Sequence, residues 1–170
     1  NNSIWDATKQ KCVITATEEF VSSEIPDYTT WTGGTGGTWS IVDGGSTLYQ
    51  SQNGSATKKI SPTSYGFGTF EGKIYHSSAD NDDDYMGFVL GYQNEDDYYL
   101  LSWGKGTNNA VPGLYLVKVK SGNKDFWNYT GPGLQILGSN TIRWSNNTWY
   151  TIKVELSPTN MKVFINGTIR

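Results

Sequence analysis

The sequence predicts an all-β protein, a sandwich or jelly roll of two antiparallel sheets. Three observations point there. Apolar and polar residues alternate with a two-residue period along most of the chain, and no stretch holds a helical period for long. Turn signals recur every ~8–12 residues. The composition is that of strands and bends: aromatic residues make up 14% of 170 residues, charged residues only 17%, and glycines number 20. Aromatic and β-branched side chains suit a pleated surface, and Gly, Asn and Ser suit the turns between strands.

The elements follow in order. "KCVITA" at 11–16 is an early strand, and "TEEFVS" at 17–22 is the best helical stretch, too short to be stable alone. "GGTGG" at 33–37 is a loop or bulge. "TWSIVD" and "STLYQSQ" form a hairpin around Gly44 and Gly45, a pair suited to a tight turn. "ATKKIS" follows, then "FGTFEGKIYHS", where Phe70, Gly72 and Ile74 share one face and Thr69, Glu71 and Lys73 the other. From 85 to 92, Met86, Phe88, Leu90 and Tyr92 project one way, and Gly87, Val89 and Gly91 the other. That bare side lets another layer, a ligand or a loop approach closely. "QNED" is a turn, "DYYLLSW" runs back, and "GLYLVKVK" is a strand closed by "SGN". "DFWNYTGPG" is a turn-rich aromatic stretch. "LQIL", "NTIRW", "WYTIKVELS" and "MKVFING" complete roughly a dozen strands. In "WYTIKVELS", Tyr150, Ile152, Val154 and Leu156 oppose Trp149, Thr151, Lys153 and Glu155. No composition break, linker or repeat divides the chain, so residues 1–170 read as one domain.

The formal net charge is -3, without a basic cluster, which argues against nucleic acid and anionic membranes as partners. No apolar run is long enough to span a bilayer as a helix, and the opening "NNS" reads as a processed chain or an excised piece. Cys12 is the only cysteine. No intrachain disulfide can form, and the residue is either a small buried hydrophobe or an intermolecular or reactive thiol. Sequons at Asn1, Asn53, Asn128, Asn146 and Asn166 favour an exported protein.

Catalytic constellations are missing from the sequence. Glu71, Glu95 and Glu155 have no acidic partner in phase on a strand, so no glycosidase carboxylate pair forms. His76, the single histidine, sits at a strand end. No nucleophile elbow, phosphate loop or paired-Cys motif is present. Two acidic clusters flank the strand at 85–92. The second, at 95–97, lies in a turn, where such residues are ordinary. The first contains Asp80, Asp82, Asp83 and Asp84. These carboxylates repel one another. They are either solvated by water and salt, paired with a lysine, or ligands of a hard cation such as Ca²⁺, which takes six to eight oxygens. A turn at 94–97 brings Asn108 and Asn109 opposite them. The aromatics Trp127 and Tyr129 lie in a Gly/Pro-rich loop where burial is not expected. With Asn108 and Asn109 they are the candidate ligand-binding residues, because sugars stack on ring faces and need amide donors and acceptors beside them.

The stretch "FEGKIYHSSADNDDDYMGFVLGYQNEDDYYLLSW" resembles the C-terminal domain of thrombospondins. The resemblance rests on Phe70-Glu71-Gly72, Asp82-Asp83-Asp84-Tyr85, Gly87-Phe88, Gly91-Tyr92-Gln93 and Trp103. "PGLYLVKVKSG" and "TWSIVDGGSTLYQSQNG" extend it over roughly 37–123. It implies a concanavalin A-like or laminin-G-like jelly roll, an extracellular setting, calcium, and binding rather than catalysis, with Asp82, Asp83 and Asp84 calcium-linked. The family's disulfide and its long basic insertion have no counterpart here, as in a stand-alone or microbial relative. The resembled fold also carries two or three further strands after "VFINGTIR", so the expectation is a truncated chain or a strand-donating protein segment supplied in trans. Two functions are therefore expected as alternatives: a calcium-dependent adhesion module for a glycan or a cell-surface or matrix protein, or a structural subunit of an extracellular assembly completed by strand exchange. A carbohydrate-binding module of a glycoside hydrolase is a third.

Overall fold

The computed structural model describes residues 3–6, 11–14, 32, 38–51, 57–62, 66–77, 85–106 and 111–170, with backbone alone at 3–6 and 11–14. The stretch at 17–22 and the expected glycine loop at 33–37 lie outside these residues. Two compact units are formed, one from Asn1–Glu19 with Gly66–Arg170 and the other from Phe20–Tyr65. Among the described residues no helix is long and apolar enough to cross a membrane.

In the larger unit, β1 (Ser3–Asp6) pairs antiparallel with β2 (Lys11–Ile14). The smaller unit holds the expected hairpin: β3 (Trp39–Val42) pairs with β4 (Thr47–Gln50), with Trp39 opposite Gln50 and Val42 opposite Thr47. A single 3-10 turn, Asp43–Gly45, connects them. "ATKKIS" gives no strand there, only an isolated bridge between Ile60 and Thr32.

The rest of the larger unit is two four-stranded antiparallel sheets. The first is a meander of β6 (Tyr85–Asn94), β7 (Asp97–Gly104), β8 (Gly113–Val119) and β9 (Leu134–Asn140). The second runs β12 (Thr168–Ile169), β11 (Met161–Ile165), β10 (Trp149–Leu156), β5 (Gly68–Tyr75). Their inner faces meet in one core. Leu90, Leu101, Trp103 and Leu114 come from the first sheet, and Ile152, Val154, Val163 and Ile165 from the second. Alternation along β5, β10 and β11 places one row inside and one in solvent, as a half-buried antiparallel sheet requires. The chain is thus the all-β sandwich that the sequence predicts.

Trp103 ties the layers together. Its ring is fully buried and meets Tyr150 of the other sheet edge-on at 4.8 Å. Its indole N–H donates to the Ile142 carbonyl at 2.8 Å, and its own carbonyl accepts from the Trp144 indole at 2.9 Å. Both partners belong to residues 141–148, which cross from β9 to β10. "NTIRW" is therefore not a strand, apart from Asn140. It is an irregular crossover that inserts Ile142 and Trp144 into the core, and these hydrogen bonds replace a ladder.

A second correction concerns Tyr92. Met86, Phe88 and Leu90 face the inner core as expected, but Tyr92 packs on the opposite side of the sheet. The β6–β7 register shifts between Leu90 and Asn94, and Gly91 there has φ 57. A bulge of this kind uses glycine because a left-handed backbone costs it nothing. One extra residue inverts the facing of whatever follows.

The outer face of the first sheet is covered over β7 and β8, while Ile136 on β9 stays 48% exposed. Tyr98, Val117, Val119, Tyr129 and Leu134 form a second buried cluster there, with Tyr85, Val89, Tyr115 and Phe126 packed against it. Residues 120–133 cover that face.

Candidate functional site

The covering loop is built around one carboxylate. Asp125 and Thr130 exchange both backbone hydrogen bonds, at 2.9 and 3.1 Å. Between them the chain makes a tight reversal. The Asp125 side chain accepts from the N–H groups of Trp127 (3.0 Å) and Asn128 (3.2 Å), the Asn128 amide (2.8 Å) and the Thr130 hydroxyl (3.3 Å). The Asn128 side-chain amide, then its backbone N–H, hold the Asp125 carboxyl below its usual range, because each bond favours the charged form. An aspartate that closes its own turn in this way is a recurrent device of tight loops.

Tyr129 was expected to be exposed, and this is corrected: only 5% of its surface is accessible. It adopts a left-handed backbone, φ 53, which turns its ring under the loop. There it packs against Tyr115 at 4.8 Å and Tyr85 at 5.3 Å. Its hydroxyl donates to Ser102 Oγ at 2.6 Å. Ser102 is itself buried, so each polar group satisfies the other. Burial pushes the Tyr129 phenol up. Proximity in sequence to Gly and Pro did not decide burial; the β7–β8 surface beneath the loop did.

Trp127 stays 40% exposed. Its ring meets that of Tyr85 edge-on, 5.5 Å apart at 88°. The Tyr85 hydroxyl donates to the Trp127 carbonyl at 2.7 Å and accepts from the Val111 N–H at 2.5 Å. Tyr85 can lie across the sheet because its neighbour opposite is Gly104, where a Cβ would come within 2.7 Å of the tyrosine ring. Sequence reading missed Tyr85 as an anchor. The available signal was an aromatic at the head of β6 registered against a glycine.

Tyr85 directly follows Asp84, and Val111 lies two residues after Asn109. One hydroxyl thus ties Trp127 to the strand that leaves the aspartate run and to the chain that leaves the paired asparagines. Asp80, Asp82, Asp83, Asp84, Asn108 and Asn109 themselves lie outside the described residues. Among the described residues no three acidic, His or Cys side chains gather as a metal site. The donor chemistry of the run, carboxylate and amide oxygen without soft ligands, fits a hard cation.

The second acidic cluster is a turn, as expected. Its carboxylates are engaged: Asp97 with Lys118, Asp96 with Lys124 at 2.5 Å, and Glu95 with the Tyr92 hydroxyl at 2.8 Å. The Lys124 ammonium holds the Asp96 carboxyl below its usual range.

A family model described as the thrombospondin C-terminal region matches residues 35–124. Cartilage oligomeric matrix protein of Rattus norvegicus is 28% identical over 123 residues, 66% of this chain and 14% of that protein. Thrombospondin-4 of Bos taurus is also 28% identical over 123 residues, 66% of this chain and 11% of its own length. Thrombospondin-3b of Danio rerio is 30% identical over 105 residues, 56% of this chain and 10% of its own. The chain therefore spans a seventh or less of these curated relatives. Among solved structures, a carbohydrate-binding module, CBM66, from Bacillus subtilis superposes with a TM-score of 0.61 over 82% of this chain and 76% of that one, at 14% identity. That likeness concerns the fold.

Proposed function

The chain belongs to the thrombospondin C-terminal family, and from that premise we propose that it is an extracellular, non-catalytic module that binds a glycan in a calcium-dependent way. The single observation behind this reading is the suspension of Trp127 from Tyr85. An indole exposed at 40% is held by a ring contact, a carbonyl hydrogen bond and the Asp125 turn. A fixed aromatic face binds a sugar ring at little ordering cost, because its rotamer is set before the ligand arrives. Calcium enters through Asp82, Asp83 and Asp84. Bound there, the ion supplies charge balance for the run. The Asp84–Tyr85 bond joins that run to the side chain that holds Trp127. The name of one relative, cartilage oligomeric matrix protein, and the fold shared with a carbohydrate-binding module support the same class.

The test pairs two variants on a glycan array with and without chelator. Trp127→Ala and the triple variant Asp82→Asn, Asp83→Asn, Asp84→Asn should each lower glycan binding about tenfold or more, and only the triple variant should lower calcium affinity by calorimetry. Glycan binding that survives both changes in chelator would sink the proposal.

A further inference from the structure

Of the sequons in the chain, those at Asn128, Asn146 and Asn166 lie among the described residues. An N-linked glycan uses two groups of a sequon at once, the Asn side-chain nitrogen and the hydroxyl two residues on. The fold treats the three differently. At Asn128 both groups are committed to Asp125. The side-chain nitrogen donates to Oδ2 at 2.8 Å and the Thr130 hydroxyl to the same oxygen at 3.3 Å. At Asn146 the side-chain oxygen is buried, and the Thr148 hydroxyl turns back to donate to the Asn146 carbonyl at 3.2 Å. A sugar there would have to enter the crossover between β9 and β10.

Asn166 stands apart. It opens the two-residue turn of the β11–β12 hairpin, in which Ile165 pairs with Thr168. Asn166 and Gly167 have φ 49 and 78, and positive values at both turn residues are what a type I′ turn requires. Asn166, Gly167 and Thr168 are all exposed. A Cβ placed on Gly167 would meet nothing within 4 Å, so the space beside the turn is open.

The Asn166 amide is oriented as well as exposed. Its backbone N–H donates to the Thr151 carbonyl at 2.8 Å, and its Oδ1 accepts from the Thr151 N–H at 2.9 Å. The side chain thus extends the β10–β11 ladder by one acceptor, through its oxygen alone. Nδ2 and the Thr168 hydroxyl make no hydrogen bond among the described residues. A glycosylated asparagine keeps its side-chain oxygen, so a sugar on Nδ2 leaves that acceptor in place.

We infer that Asn166 is the acceptor for an N-linked oligosaccharide, in preference to Asn128 and Asn146. The donor is a lipid-linked oligosaccharide diphosphate. Asn166 Nδ2 bonds to the anomeric carbon and gives up one proton, and the lipid diphosphate leaves with the electron pair of the broken C–O bond. The inference rests on the exported setting of the proposed function and on nothing else in it.

For the test, the chain is secreted from cultured eukaryotic cells, treated with peptide N-glycosidase in heavy-oxygen water, and mapped by peptide mass spectrometry. The isotope tag left at Asn166 should exceed that at Asn128 and at Asn146 severalfold. Thr168→Ala should remove it with Asn166 still present, and Thr168→Val repeats the test if the alanine variant misfolds. Hydrogen exchange of the Thr151 amide should be equally slow in the glycosylated protein and in Thr168→Ala. No tag at Asn166 overturns the inference, as does an equal or larger one at Asn128 or Asn146. Faster exchange at Thr151 in the glycosylated protein also overturns it, since the Asn166 amide would then have left the ladder. Glycan-array binding through Trp127 is read separately on the same protein, so either proposal can fail while the other stands.

Discussion

The two sheets share a core but differ on their backs. The outer face of the β6–β9 sheet lies under residues 120–133 and a layer of tyrosines, whereas that of the second sheet is open. On the open face Lys153 bridges Glu155 at 2.8 Å and sits 4.2 Å over the Phe164 ring. Both are ordinary solvated contacts, each a small contribution. The difference comes from one loop that Asp125 folds back on the sheet. It converts a half-buried sheet into a middle layer and leaves Trp127 standing where the covering ends.

This contrast can be broken at its strongest point first. Trp103→Ala should cost ~3–5 kcal/mol in urea unfolding, since a fully buried ring and two interlayer hydrogen bonds go together. A loss below ~1 kcal/mol would mean the layers are not joined there. The covered face should next fail in alkali. Burial, with the Glu95 charge adding to it, pushes the Tyr98 phenol up to about 12. A phenol whose folded pKa is raised contributes stability that is complete below its unfolded value near ~10 and lost as pH rises through the folded one. Tyr98→Phe should therefore flatten the fall in stability between pH ~10 and about 12, and an unchanged slope would place the titration elsewhere. Tyr129→Phe sharpens the comparison: it strands the buried Ser102 hydroxyl and should cost ~1–3 kcal/mol by chemical denaturation. Smallest is Trp149→Thr on the open face, a loss under ~1 kcal/mol. A larger one would show that Trp149 is structural.

The same contrast decides what the sequence disclosed. On the open-backed sheet "WYTIKVELS" alternates, so its facing was legible to the residue, including the oddity of Trp149 heading a polar row. On the covered sheet "DYYLLSW" is apolar on both sides, and periodicity alone says nothing about which side holds ligand. Most strands were legible, though β1 and β12 were not singled out and "NTIRW" and "ATKKIS" are not strands; the inversion at Tyr92 was not legible, because a bulge depends on backbone register rather than on composition. For the site, Trp127 was visible as an aromatic in a turn. Tyr129, two residues on, reads wrongly as exposed, because its burial depends on Ser102 of β7 and Tyr115 of β8. Tyr85 and Asp125 act through hydrogen bonds that only the folded chain brings together.

The Gly91 bulge has a dynamic consequence. The tip of the β6–β7 hairpin beyond it meets the covering loop, where Lys124 grips Asp96, while Lys118 of β8 holds Asp97. The expected outcome is that tip and loop open together, before the central sandwich. Amide hydrogens of Asp97 and Thr130 will exchange with solvent deuterium at matched rates, while those around Trp103 wait for the whole molecule to unfold.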